Sequence, residues 1–295
     1  MRSASLSSYR SQLIAWATEL ASQLRTATER EALDHADLWI DDVYRSLLSL
    51  RQEHPDRAAM LGAKLWRLFS RIGLASRLRA DLESMLLDAA DEITSETRTQ
   101  VQLALGCLAL NSGEPSNALA SLQSASQSLD AHADPQTNAE IKLHLATAKR
   151  QLGGLNSAMG IADEARRVVA HTDNDWLTAS IELERACILT SEGDAYEAQS
   201  LLEKAKAELT KVGDAEGVAL ATVELALLHV KREQPSAVVD HVMHLEAHLI
   251  RHAGLPIIRV LKGSLDKLKH TLLSNGYEDL GDHFSQTIEE SMPRK

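Results

Sequence analysis

Five of the twelve histidines fall between positions 229 and 252. If that stretch is helical, His241, His244, His248 and His252 lie within about 80° of arc at 100° per residue. The pairs His244/His248 and His248/His252 have the i,i+4 spacing that can chelate a transition metal. Such a stripe also titrates near neutrality. Val238, Val242, Leu245 and Leu249 occupy the adjoining sector. The plainer reading is therefore a polar margin beside an apolar helix face, and neither a metal nor a cofactor is assigned. A second cluster is basic. Between Arg57 and Ala80 there are six basic residues and no acidic one. Arg57, Lys64, Arg67 and Arg71 share about 80° of a predicted helix, a pattern suited to an acidic partner or to a solvated face.

Catalytic signatures are missing. The sequence has no Gly-x-Ser-x-Gly, His-Glu-x-x-His, Gly-x-x-x-x-Gly-Lys or Gly-x-Gly-x-x-Gly. Gly153-Gly154 reads as a turn. Asp173-Asn174-Asp175 lacks the remaining ligands of a calcium loop and reads as a linker with a helix cap. An enzyme is not expected.

The elements that must position these side chains are helices. Of 295 residues, 44% are apolar but only 3% aromatic, with 14 Gly and 6 Pro. Small, helix-favouring residues with few breakers argue for many closely packed helices and against a turn-rich β protein. Charged residues at 25% disfavour disorder. The net charge of −11 disfavours bulk nucleic-acid binding. Two cysteines, Cys107 and Cys187, make no disulfide framework and suit a reducing compartment. No stretch approaches the apolar length of a membrane span. The apolar run at 13–17 is too short for a signal-peptide core. The expectation is a cytoplasmic protein.

A repeat of forty residues organises the chain. Leu105-Gly106, Gly113, Ala118, Leu122 and Ala125 return forty residues on as Leu145-Ala146, Gly153, Ala158, Ala162 and Ala165. They return again as Arg185-Ala186, Gly193, Ala198, Leu202 and Ala205. The register extends without insertion back to Gly73 and forward to 225–245, where Glu233 takes the glycine slot. Small residues at 106, 146, 186 and 226 let a second helix approach. The glycines end the first helix by adopting a left-handed conformation. Pro115 with Ser116, Asn156 and Asp194 start the second helix. His54-Pro55-Asp56, Thr94-Ser95, Asp134-Pro135, Thr172 to Asp175, Gly213-Asp214 and Gly254 to Pro256 separate the units. Each unit is a predicted helix–turn–helix hairpin.

The ends are less regular. Residues 5–29 carry Leu6, Tyr9, Leu13, Trp16, Leu20 and Leu24. Residues 31–51 carry Leu33, Ala36, Ile40, Val43, Leu47 and Leu50 in 3-4 alternation. Together they predict one more hairpin, whose heptad reads as ordinary packing or as a homodimer seam. A last hairpin follows, with Ile258 to Leu272, a stop at Asn275-Gly276, then Tyr277 to Ile288. The expected organisation is an N-terminal hairpin at 1–53, five repeats at 54–254, and a capping hairpin with a short tail at 255–295.

The spacing Leu-Gly, Gly seven on, Ala five further, a bulky residue four further and Ala three further resembles the tetratricopeptide repeat. The match is best in 99–130, good in 139–170 and 179–210, and weaker in 59–90 and 219–250. Forty residues instead of 34 resembles the long-repeat variety of MalT-type bacterial regulators. The family's first-helix aromatic is replaced by Gln102, Lys142, Glu182 and Thr222. The resemblance implies an all-α, right-handed solenoid of about seven stacked hairpins, with first helices lining a concave groove. Mapped by register, Lys64, Arg67 and Arg71 face that groove. Gln100, Asn111, Glu140, Arg150, Glu184 and Glu224 follow along it, so it runs from basic to acidic. His144 and Glu184 occupy equivalent slots of adjacent units, the one pair suited to acid–base work. Cys107, Thr147 and Cys187 stand where the family's carboxylate clamp needs Asn, so that mode of recognition is not expected. The implied function is a non-enzymatic scaffold or adaptor for a protein or peptide with an acidic segment. The alternative is a ligand- or peptide-sensing regulator that acts through a protein partner.

Overall fold

Polar caps at the starts of four first helices and glycines after first-helix ends set the forty-residue punctuation. In the structure, a computed structural model, residues 11–12, 15–16, 19, 29–129, 134–193, 195–252 and 257–292 are described, apart from the side chains of 29–39, 195, 257 and 259–260. The regular elements among them are all helices. Residues 11–12, 15–16 and 19 are helical, and a long helix, α1 (Glu29–Glu53), follows. The hairpins that follow are α2 (Pro55–Arg71) with α3 (Ala75–Asp88), and α4 (Ser95–Asn111) with α5 (Pro115–Ser128). Next come α6 (Pro135–Gln151), α7 (Leu155–Val169), α8 (Asp175–Glu192), α9 (Ala195–Lys211), α10 (Ala215–Lys231) and α11 (Pro235–Arg251). Helices α12 (Ile257–Ser274) and α13 (Glu278–Ser291) end the series. The even-numbered helices from α2 to α10 begin forty residues apart.

The starts are capped in step. Thr94 Oγ1 accepts from the Thr97 amide at 3.2 Å, and Asp134 Oδ2 from that of Thr137 at 3.3 Å. Asn174 Oδ1 accepts from the Leu177 amide at 2.9 Å, and Asp214 Oδ1 from that of Gly217 at 3.0 Å. Each bond satisfies a donor that the first helical turn leaves open. Two caps also tie neighbouring hairpins. Asp56 Oδ1 accepts from the Thr94 amide at 2.8 Å, and Trp176 Nε1 donates to Asp214 Oδ2 at 2.8 Å. Burial works to raise the Asp56 carboxyl, but the hydrogen bonds from Thr94 and Thr97 outweigh it and hold it below its ordinary range.

The stops are equally regular. Gly73, Gly113, Gly153 and Gly193 have φ between +72° and +97°. Glu233 adopts φ +53° in the same slot of the last repeat, a conformation that costs an L-residue free energy. Asn156 does not start α7. The cap is Gly154, whose amide bonds Lys149 O at 2.9 Å, so the chain passes straight from one helix into the next. Asp194 and most of the 5–29 stripe lie outside the described residues.

The described residues fall into two units, 1–148 and 149–295. In the first, α1 packs on α2, and α2 packs on α3 and α4. Val43 and Leu47 of the heptad are fully buried there, while Ile40 and Leu50 are half-buried. Gly106 is the tight point between α4 and α5. A Cβ there would lie 2.5 Å from Leu122 Cγ. In the second unit, α9 packs on α8 and α10, and α11 packs on α10 and α13. Ala158, Ala198 and Val238, the equivalent second-helix positions, are all fully buried. Residues 221–230 of α10 are buried on every side. Ile258, Leu261, Leu265, Leu268 and Leu272 of α12 form the core of the last hairpin, where Gly276 at φ +82° turns the chain into α13. Among the described residues, no helix is long and apolar enough to cross a membrane.

Candidate partner-binding face

First helices pack on one another as well as on their own second helices: α2 on α4, α8 on α10, and α10 on α12. This side-by-side packing decides what the first-helix face offers. Several of its mid-helix positions are drawn into contacts with neighbouring first helices, while Lys64 in mid-α2 and Lys267 in mid-α12 stay exposed.

In the first unit, Lys64 is exposed. Arg67 Nη2 donates to Glu140 Oε1 at 2.7 Å, a bond from α2 to α6, and the guanidinium lies 4.4 Å over the Trp66 ring. Both partners of that ion pair are only 14% exposed. His144 Nε2 lies 4.0 Å from the same Glu140 oxygen. Arg71 is buried in the last turn of α2. Gln100 Nε2 donates to Thr137 Oγ1 at 3.3 Å. Asn111 is exposed, with its Nδ2 donating to Ser70 Oγ at 3.1 Å.

In the second unit the pairing is tighter. Arg150 grips Glu184 with two bonds, Nε to Oε1 at 2.6 Å and Nη2 to Oε2 at 3.1 Å. Burial disfavours the Arg150 charge. The carboxylates of Glu184 and Glu224 outweigh that and hold the proton still more firmly than in water. Glu224, 8% exposed, accepts from Lys267 Nζ of α12 at 3.2 Å. Cys187 lies among these charges. Burial, reinforced by Glu224, pushes its thiol well above the ordinary range, so it stays protonated and unreactive. Cys107 is likewise buried and free. Accessible residues recur at the C-terminal ends of the first helices. Gln151, Ser191 and Lys231 are exposed at forty-residue intervals, and Lys231 Nζ reaches Thr190 O at 3.0 Å.

Within each unit, then, the acidic members are neutralised, Glu140 by Arg67, Glu184 by Arg150 and Glu224 by Lys267, while Lys64 stays exposed. Sequence register places these residues on the first-helix face. It could not foresee Lys267, which stands 43 positions from Glu224, outside the forty-residue step. His144 and Glu184 are each engaged with other partners, Glu140 and Arg150.

The histidine stripe lies on the second helix α11. His241 stacks on buried His229, ring centroids 5.1 Å apart, and His248 packs on His252 at 4.2 Å. His244 Nδ1 bonds Asp240 O at 2.6 Å, and His252 Nδ1 bonds His248 O at 2.8 Å. Burial, with repulsion from His229, Lys206 and His244, lowers His241 to about 4. Burial, with His252, Arg251 and Lys206, lowers His248 to about 4. Both rings are neutral at pH 7. Among the described residues, no group of three or more His, Cys, Asp or Glu side chains is placed to hold a metal ion.

Solved structures share the fold. A Rap protein complexed with competence and sporulation factor is similar over 95% of this chain and 76% of that one, with 14% identity and a TM-score of 0.71. The Cut9–Hcn1 hetero-tetramer of the APC/C is similar over 94% of this chain and 46% of that one, with 13% identity and a TM-score of 0.59. A putative kinesin light chain of Podosopora anserina, described by its nearly identical TPR-like repeats, covers 67% of this chain with 97% of its own length, at 19% identity and a TM-score of 0.50. The fold is a TPR-like α-solenoid. No protein-family model and no curated protein matches the sequence. Within each unit the paired charges lie on the first helices, and in the second unit so do the accessible ends Gln151, Ser191 and Lys231.

Proposed function

We propose that this chain is a non-enzymatic protein- or peptide-binding module of the cytoplasm, with its partner lying along the first-helix face. The observation that carries the proposal is the exposed edge of that face. Gln151, Ser191 and Lys231, all in the second unit, present hydrogen-bonding side chains from helix ends. Buried ion pairs such as Arg150–Glu184 contribute little net stability, but they fix the floor beneath that edge. A pre-organised surface loses less entropy when a partner binds. Lys64 and Lys231 are exposed cations suited to an acidic segment.

The second reading is a peptide-responsive regulator. It draws support from the Rap structure, which holds competence and sporulation factor, and from the resemblance of the forty-residue unit to MalT-type repeats. Arg67 and Arg71 are unsuitable for charge reversal, because one is ion-paired and the other buried. Lys64→Glu combined with Lys231→Glu tests the face directly. This variant keeps its helicity and loses at least about tenfold in partner capture. Lys204→Glu, on the exposed side of α9, leaves capture unchanged. Capture that survives the double reversal, or that is lost only with Lys204→Glu, would overturn the assignment.

A further inference from the structure

The outer side of α11 carries apolar side chains that the fold does not use. Val239 is 37% exposed, Met243 59% and Ile250 65%, with exposed Ala247 between the last two. At 100° per residue these four fall within about 80° of arc and make one continuous stripe. Contiguous exposed apolar surface of this kind marks an interaction site more often than a scatter of single residues does. Two exposed charges bracket the stripe, Asp240 at its start and Arg251 at its end. Neither enters an ion pair among the described residues. They stand eleven positions apart, or roughly 16 Å along the helix.

We infer that this stripe is a self-association surface, with α11 of a second copy lying antiparallel on it about a two-fold axis level with Leu245. The sequence of the stripe is complementary to its own reversal. Met243 meets Ala247 of the second copy, the large side chain over the small. Val239 meets Ile250. Asp240 meets Arg251, and the symmetry makes this ion pair twice, as an isologous contact requires. Parallel pairing would instead leave Asp240 and Arg251 roughly 16 Å apart along the interface, with neither meeting an opposite charge. The α1 heptad is a poorer seam, because Val43 and Leu47 are already buried within their own unit. Four apolar side chains per copy bury less than a stable dimer needs, so the association is weak and depends on concentration.

The test is sedimentation velocity of the full chain from low micromolar to several hundred micromolar. The wild type moves toward twice the monomer mass as concentration rises. Met243→Glu and Ile250→Glu stay monomeric, and the gentler Met243→Gln and Ile250→Gln weaken association with helicity unchanged. Asp240→Arg or Arg251→Asp alone weakens it by about tenfold, since each sets like charges together twice. The double swap Asp240→Arg/Arg251→Asp restores it. A monomer at every concentration overturns the inference. So does a dimer that Met243→Glu leaves intact, or single charge reversals that the double swap fails to rescue.

Discussion

Replacing Arg150 with Met should cost more stability than any exposed charge on the same face. The guanidinium makes two bonds to Glu184, at 2.6 and 3.1 Å. Glu184 is 6% exposed, so water cannot replace what is removed. Breaking a buried pair from one side costs about 3–5 kcal/mol, because a desolvated charge loses its partner. Some of that is recovered here, since the Arg150 side chain is 19% exposed and water can enter the vacated edge. The expected loss is therefore about 3 kcal/mol, near the lower bound. For a unit of this size that is a fall in Tm of roughly 6–12 °C. Glu184→Gln is milder, at about 1–2 kcal/mol, because the amide keeps one acceptor. Arg150→Met with Glu184→Leu returns to within about 1 kcal/mol of the wild type, since neither charge is left in the interior. Calorimetry gives the total, and hydrogen exchange in α8 localises it. Lys267→Met is the internal comparison. Its partner Glu224 is buried, but the lysine is 55% exposed, so the loss stays below about 1 kcal/mol. An Arg150→Met cost as small as that of Lys267→Met would refute the reasoning, because burial would then not decide the strength of these pairs.

Other consequences follow from single residues. Glu233→Gly should raise stability by about 0.5–1 kcal/mol, because φ +53° is unstrained for glycine. A lower Tm would mean that the Glu233 side chain contributes more than its backbone costs. Ala158→Leu should destabilise by about 1–3 kcal/mol, since Ala158 is fully buried at a helix contact with no room for three more carbons. Unchanged chemical denaturation would show that the contact can open. Acidification should destabilise the α9–α11 region. His241 and His248 titrate near 4 in the fold and near 6.5 when unfolded, so their stabilisation is complete above pH 6.5 and is lost as pH falls toward 4. Half-buried rings are partly screened, which leaves about 1 kcal/mol for each. Burial raises the Glu246 carboxyl, and its protonation over the same descent works in the opposite direction. The checks are Tm measured from pH 7 to pH 4.5 and a flatter slope in His241→Gln/His248→Gln. A wild-type Tm independent of pH would contradict the assignment of neutral, buried rings.

Local chemistry makes the hairpins legible in the sequence. Thr94, Asp134, Asn174 and Asp214 announce first-helix starts because a short polar side chain can accept from the third amide onward. Gly73, Gly113, Gly153 and Gly193 announce stops for the complementary reason. Glu233 shows the limit of that rule, since the same turn bonds, Glu233 N to Val230 O and Gln234 N to His229 O at 3.0 Å, close there on a glutamate in a glycine's conformation. Register also brings Glu184 and Glu224 to one face of the second unit, and Lys64 to the first-helix face of the first. It says nothing of depth, because depth depends on how first helices pack against each other. That packing buries Arg71 and closes Arg67 onto Glu140, 73 positions away. The histidine stripe is legible as the margin of an apolar face. The stacking of His241 on His229 depends on how α11 rotates against α10, and periodicity within one helix carries no information about that.

Site-specific photo-crosslinking tests the central claim most directly. A photoreactive residue is placed in turn at Gln151, Ser191 and Lys231 on the first-helix edge of the second unit, and at Arg167, Ser200 and Glu203 on exposed sides of its second helices. The account predicts the same crosslinked partner from the first set and none from the second. Crosslinks confined to the second-helix positions would contradict it.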